Sequence, residues 1–312
     1  MDSELRAKAD KAISRITHAA GIAGQMGNTL VLAYSGGKDS DVLLDLAIKS
    51  GVPFIVQHNH TTVDAPETVY HIREVFAGLR DRGIETRINY PGEIETVGGK
   101  RTRASMWNLI PKKQMPPTRL ARYCCEYFKE RRFDGQHIMT GVRWAESAKR
   151  KTRWLHEKLD PNPEKRVVYF DENDDGHKLM DICQLRSRVA TNPIIDWTDA
   201  DVWCCVKEQG IKMNPLYGMG FHRVGCVGSP SGGKKSHAFS LAMYPKYRET
   251  YLRTFGRMIE AHIQKTGTGY DRWDTPQKVM EWWTMQAPDA KSSDPGPNIQ
   301  VSLFDSAEED GT

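Results

Sequence analysis

Six consecutive residues, Ser35-Gly36-Gly37-Lys38-Asp39-Ser40, combine two glycines, two hydroxyls and a lysine directly after the apolar run 29–34. Two glycines let the backbone turn tightly and leave its N–H groups open. With a helix starting behind them, those N–H groups form an anion cradle suited to phosphate. The spacing is not that of a Walker A loop. A second feature is charge. Between residues 100 and 153 there are 15 Lys and Arg against four acids, although the whole chain carries only +4. Such a stretch suits a polyanionic ligand, either nucleotide phosphates or nucleic acid. A third is the six cysteines at 124, 125, 183, 204, 205 and 226. Two adjacent pairs make a poor disulfide framework, which points to reduced thiols, metal binding or catalysis. His58 and His60 have the spacing of two ligands on one strand face, but with no third ligand in view they read as ordinary polar residues.

The elements that must position these groups follow from periodicity. Residues 3–24 have apolar positions near helical spacing. Residues 29–34, 53–59 and 85–90 read as strands, separated by helices after Ser40 and over 65–82. This β–α–β–α–β alternation predicts a parallel sheet with right-handed crossovers. The stretch 91–120 reads as irregular and basic, 137–143 as a strand and loop, and 155–178 as a polar surface insertion. Residues 191–210 read as a short extended piece and a helix capped at Thr198. Residues 236–266 and 275–287 read as helices, and the chain from 287 as a disordered tail. No internal repeat is read. At 312 residues, 39% hydrophobic and 27% charged, the composition is that of a soluble protein of about two domains. The longest clean apolar run has five residues, far short of the ~20 of a membrane span. The charged N-terminus lacks an apolar signal core, so a cytoplasmic location is expected.

The hexapeptide resembles the PP-loop of the adenine-nucleotide alpha-hydrolase-like superfamily. Further segments narrow the resemblance to the phosphoadenosine phosphosulfate (PAPS) reductase family: HTTVDAPET (60–68), RYCCEYFKE (122–130), GVRWAES (141–147), NPIIDWTDADVW (192–203) and NPLYGMGFHRVGC (214–226). They stand in family order over about residues 28–250. The resemblance implies an α/β fold, a doubly wound parallel sheet with the nucleotide over the carboxyl ends of the strands. It partitions the chain into an N-terminal helix (1–27), a PP-loop domain (28–230), a helical extension (231–286) and the tail (287–312). It implies that Ser35, Gly36, Gly37, Lys38, Asp39 and Ser40 hold phosphates of ATP or PAPS, with Mg²⁺ a companion of the nucleotide. Arg143 and Arg150 would be anion contacts, Arg119 and Arg122 additions to them, and Glu146 and Ser147 braces for their loop. Lys38, Asp39 and Arg143 are the expected catalytic set. Asp64 reads equally as a contact to metal or ribose and as a local turn or cap.

Cluster-bearing members of that family use a Cys-Cys pair and a later Cys-x-x-Cys to hold a [4Fe–4S] cluster. Here the corresponding residues are Cys124, Cys125 and Cys226, and the fourth position is Ser229. Cys183 is the candidate to complete a rearranged set, against the reading that these are buried thiols. Cys204 and Cys205 read as packing groups. Thiol-using PAPS reductases carry a catalytic cysteine near the C-terminus, and residues 227–312 contain none. The resemblance is therefore closer to the sulfur-transfer proteins of DNA phosphorothioation.

In the tail, Gln300-Val301-Ser302-Leu303-Phe304 resembles the peptide that docks on the bacterial sliding clamp, with Leu303 and Phe304 as apolar anchors and Gln300 fixing register. Three functions follow as expectations. The first is adenylation with release of pyrophosphate, linked to sulfur transfer or DNA modification. The second is a PAPS or APS reductase, and the third a non-catalytic nucleotide-binding module tied to the clamp.

Overall fold

The computed structural model describes residues 3–130, 133, 135–146, 156–158, 168–170 and 189–285. The chain divides into two compact units. The first comprises residues 1–59, 70–89 and 131–214, and the second 60–69, 90–130 and 215–312.

The first unit is built on parallel strands. β1 (Leu30–Ala33) and β2 (Phe54–Asn59) are almost wholly buried, as strands covered on both faces must be. With β3 (Thr86–Asn89), β6 (His137–Met139) and β9 (Val189–Thr191) they form a five-stranded parallel sheet in the order β3-β2-β1-β6-β9. Two short strands, β7 (His156–Lys158) and β8 (Val168–Phe170), extend it antiparallel beyond β9. The strand order reverses between β1 and β6, the place where open α/β sheets leave a ligand crevice at the strands' carboxyl ends.

Helices α1 (Ser3–Gln25), α2 (Lys38–Ser50) and α6 (Asp199–Gln209) share one core with the sheet. On α1 the buried positions Leu5, Ala9, Ala12, Ile16, Ala19 and Ala23 recur every three or four residues, which is why this segment folds as an amphipathic helix. The helix α3 (Pro66–Asp81) contributes Ile72, Phe76 and Leu79 to the same core.

The second unit corrects the reading of 91–120 as irregular. It holds an antiparallel hairpin, β4 (Glu93–Glu95) with β5 (Arg101–Arg103), and the helix α4 (Met106–Lys113), which contains Pro111. Its double-cysteine segment is a single helical turn, α5 (Tyr123–Cys125), running into a π-turn segment Glu126–Glu130. The expected helix 236–266 is two, α7 (Lys234–Met243) and α8 (Pro245–Thr266), because Pro245 opens a new helix at its first position. With α9 (Pro276–Met285), these helices bury Tyr251, Phe255 and Trp283, and the Trp283 indole donates to the Pro117 carbonyl at 2.7 Å. No helix among the described residues is long and apolar enough to cross a membrane.

Candidate functional site

The glycine loop leaves the carboxyl end of β1 and enters α2, whose N-cap is Gly37. Gly36 sits at φ +71°, which favours glycine, and a Cβ there would also crowd Ile72 Cγ1 at 3.1 Å. Ser40 organises the turn from inside. Its hydroxyl accepts from the Gly37 N–H at 3.1 Å, donates to the Gly37 carbonyl at 2.8 Å and lies 3.2 Å from the Ser35 hydroxyl. Asn214 holds the loop from outside, donating to the Gly36 carbonyl at 2.9 Å. Beneath it, the buried Tyr34 hydroxyl donates to the Asp41 carboxylate, with His71 Nε2 3.3 Å from that hydroxyl.

The neighbouring strand β6 delivers the second part of the site. Gly141 passes so close to α2 that a Cβ would meet the Asp39 carbonyl carbon and oxygen at 3.0 Å. Two residues on, Arg143 is buried with 1% exposure. Its Nε donates to Asp39 at 2.7 Å, its Nη2 to Asp199 at 2.5 Å and its Nη1 to the Trp197 carbonyl at 3.2 Å. Lys38 lies 3.4 Å from Asp39 and 3.3 Å from Asp199. The result is two cations interleaved with two carboxylates. Burial works against the Arg143 charge, but Asp39 and Asp199 more than offset it and raise its pKa. Burial likewise opposes the Asp199 charge, and Lys38 and Arg143 nonetheless hold that carboxyl below its ordinary range.

Arg143 stands beside the loop, and its fork grips carboxylates rather than facing outward. Asp199 is the partner that sequence reasoning missed as a site residue. It follows the α6 cap, where Thr198 accepts from the Asp201 N–H at 3.1 Å. The segment carrying it is pinned to α1: Arg15 pairs with Asp196 at 2.8 and 3.0 Å and donates to the Pro193 carbonyl at 2.7 Å, and Lys8 meets Asp201 at 3.0 Å.

Asp64 and Arg119 belong to the second unit. The Asp64 carboxylate accepts from the Thr61 N–H and the Thr61 hydroxyl, both at 2.7 Å, and lies 3.2 Å from His60 Nδ1, an arrangement that braces its own turn. Arg119 is exposed. Arg150, Ser147, Cys183, Gln300, Leu303 and Phe304 lie outside the described residues.

Within the second unit, Cys124, Cys125, Cys226 and Ser229 line one cavity of about 150 Å³ together with Arg122 and Lys129. All three thiols are free. Arg122 Nη2 lies 3.3 Å from Cys125 Sγ. The Cys124 thiol first, then Lys129 and Arg122, pull the Cys125 thiol down against the opposing effect of burial. The hydrogen bond to Cys125 and burial push Cys124 up. Burial also raises the Cys226 thiol.

A phosphoadenosine phosphosulfate reductase domain is matched over residues 29–232. The chain belongs to the PAPS reductase family. It is similar to sulfate adenylyltransferase subunit 2 of Alkalilimnicola ehrlichii, 27% identical over 206 residues, which cover 63% of this chain and 59% of that protein's length. It is similar to adenosine 5'-phosphosulfate reductase of Geobacillus kaustophilus, 24% identical over 65% of this chain and 73% of that one. Both names belong to enzymes of sulfur metabolism that handle adenosine nucleotides. Among solved structures, phosphoadenylyl-sulfate reductase from Candida auris, in a phosphate complex, aligns with a TM-score of 0.42 at 18% identity, covering 64% of this chain and 82% of that one.

For this PAPS reductase family member, the cysteine cavity tests the iron–sulfur expectation directly. Among the described residues it offers three thiols and one hydroxyl, one soft donor short of the usual four thiolates, and a serine oxygen is a hard ligand. These four donors do not make the usual four-thiolate set, and Cys183 lies outside the described residues. Sequence reading also passed over an echo of the PP-loop: Ser231-Gly232-Gly233-Lys234-Lys235-Ser236 differs from residues 35–40 at one position and likewise opens a helix, α7, with its second glycine as N-cap. A search for short self-similar segments would have found it.

Proposed function

We propose that this PAPS reductase family protein binds ATP or a related adenylate at Ser35–Ser40 and activates an acceptor by adenylation. The acceptor oxygen attacks the α-phosphorus, the bond to the bridging oxygen breaks, and pyrophosphate leaves with its electron pair. The observation that carries this reading is the glycine loop at the β1/β6 reversal, with Lys38 beside it and Arg143 clamping Asp39 and Asp199. The loop N–H groups and Lys38 stabilise charge as it develops on the leaving pyrophosphate. Arg143 fixes Asp39, the loop's own carboxylate, which is the group able to share a Mg²⁺ carried in on the phosphates. In this proposal the activated acceptor serves sulfur transfer or DNA modification, in a soluble, cytoplasmic setting. Arg150 is a secondary nucleotide contact, and the tail peptide with Gln300, Leu303 and Phe304 is a tether to a sliding clamp.

The test is pyrophosphate release from ATP by the purified chain with DNA present, against Lys38→Ala. Loss of release in the variant supports the reading. Release that survives Lys38→Ala unchanged sinks it, as does nucleotide binding without turnover under any acceptor condition. A second reading, sulfonucleotide reduction, draws on the names of the relatives. It requires sulfite from PAPS or APS with a thiol reductant, measured on the same preparation.

A further inference from the structure

The second unit carries a basic surface that the nucleotide chemistry does not use. In residues 100–129, Lys100, Arg101, Arg103, Lys112, Lys113 and Arg119 are all exposed. Among the described residues, Arg101 is the one of these six that meets a carboxylate, Glu93 at 3.8 Å. The other five make no such close ion pair among the described residues, and the structure links several of them into one ridge. β5 pairs with β4, Glu95 opposite Arg101 and Glu93 opposite Arg103. Lys112 at the end of α4 donates to the Glu95 carbonyl at 2.7 Å, and Asn108 of α4 donates to the Thr102 hydroxyl at 3.1 Å and the Arg103 carbonyl at 2.9 Å. The next residue, Lys113, stands over the rings of Tyr123 and Tyr127 at 5.9 and 5.7 Å. At the other end, the Arg103 guanidinium covers the Tyr90 ring at 5.7 Å, and the His60 ring meets Tyr90 edge-on at 5.4 Å. Tyr90 is nonetheless 45% exposed.

We infer that this ridge, from Tyr90 across the β4–β5 hairpin to Lys113, is a docking surface for single-stranded DNA. The inference rests on the proposed acceptor class and gives it a place on the chain. Cations without carboxylate partners are the footprint of a polyanion, because each phosphate they neutralise releases counterions. Rings layered with those cations add the second element, a stacking platform for bases. A duplex keeps its base faces stacked inside and has none to offer Tyr90, whereas an unpaired strand presents a base face with every nucleotide.

The experiment is fluorescence anisotropy of the full chain with a labelled single-stranded oligonucleotide of about 20 nucleotides, longer than the ~4–16 that one binding fold covers. Binding is expected to weaken with salt at a log–log slope of roughly −3, the ~0.7 per phosphate of single strands summed over four or five contacts. Tyr90→Ala is expected to weaken binding about tenfold, and Tyr90→Phe to leave it within about twofold, which separates lost stacking from a damaged fold. Lys100→Ala with Lys113→Ala is expected to flatten the salt slope by about one or more. Equal or tighter binding of the duplex, Tyr90→Ala binding like the parent, or comparable binding to anionic lipid vesicles would each overturn the inference. Lys38→Ala is the control that keeps the two proposals apart: it removes pyrophosphate release and leaves oligonucleotide affinity unchanged. Pyrophosphate release without oligonucleotide binding defeats the ridge alone.

Discussion

Arg143→Lys keeps the positive charge and removes the fork. An ammonium is a point charge and cannot reach Asp39, Asp199 and the Trp197 carbonyl from one position, whereas the planar guanidinium now serves all three. The Asp39 contact is made by a buried guanidinium at 2.7 Å, and a hydrogen bond to a charged group of this kind contributes about 1.5–3 kcal/mol. The Asp199 side chain is 69% exposed, so its pairing contributes only about 0–1 kcal/mol after screening. A lysine that keeps the exposed Asp199 contact forfeits the Asp39 bond, so the net loss is about 1.5–3 kcal/mol. For a domain of this size each kcal/mol is worth roughly 2–4 °C, so the melting temperature falls by about 3–12 °C. Freed from its clamp, Asp39 no longer holds one orientation beside the loop, and ATP affinity measured by calorimetry falls at least tenfold. Thermal unfolding and titration calorimetry on parent and variant check both figures. A melting temperature within 1 °C of the parent together with unchanged ATP affinity would refute the claim that this fork fixes the loop.

The remaining predictions are simpler. Gly141→Ala places a methyl 3.0 Å from the Asp39 backbone, which cannot swing aside as a side chain could; a stability loss of about 1–3 kcal/mol is expected from denaturant unfolding, with nucleotide affinity falling in parallel. His137 and His237 are buried, and burial pushes each down from the ordinary 6.5 to about 4, the neighbouring His18 adding to the effect on His137. Both are neutral when folded and take up a proton on unfolding, so their stability contribution is full above pH 6.5 and is lost as pH falls toward 4. Each is worth roughly 3 kcal/mol at most across that window, and His137→Gln is expected to flatten the urea-unfolding pH profile there by about half. Ser229→Cys supplies the fourth thiol of the cysteine cavity, so anaerobic reconstitution with iron and sulfide should give brown charge-transfer absorbance in the variant and little in the parent; equal absorbance would show that the parent's donors suffice.

The strand–loop–helix unit was legible because three signals coincide between residues 29 and 50: the apolar run of β1, the paired glycines and the periodicity of α2. Thr198 was legible as a cap because its acids follow at the expected offsets. The hairpin and α4 were not, since Pro91, Gly98, Gly99 and Pro111 punctuate that stretch as a loop would, while β4 and β5 are three residues each and hold their register through each other and through Asn108. The orientation of Arg143 could not be read either. An arginine after a strand suits a phosphate contact as well as a carboxylate clamp, and the choice is made by Asp199, which lies 56 residues away in the chain. The break at Tyr244–Pro245 was available in the sequence, where a proline inside an apolar pattern marks a new helix start.

The two units are not consecutive along the chain. The backbone passes from one to the other at 59/60, 69/70, 89/90, 130/131 and 214/215. During synthesis the parallel sheet waits for β9 before its five strands exist, and the other unit waits longer, since Trp283 closes onto a carbonyl 166 residues upstream. Such long loops slow folding, because chain entropy is lost before the contacts that reward it are made. Apolar segments of both units therefore stay uncovered on the ribosome until nearly all of the described chain has emerged. Cutting the gene between the two units at any one of these crossings yields a fragment lacking part of at least one core, so separate expression of the two units would require rejoining their pieces by circular permutation or short linkers rather than truncation.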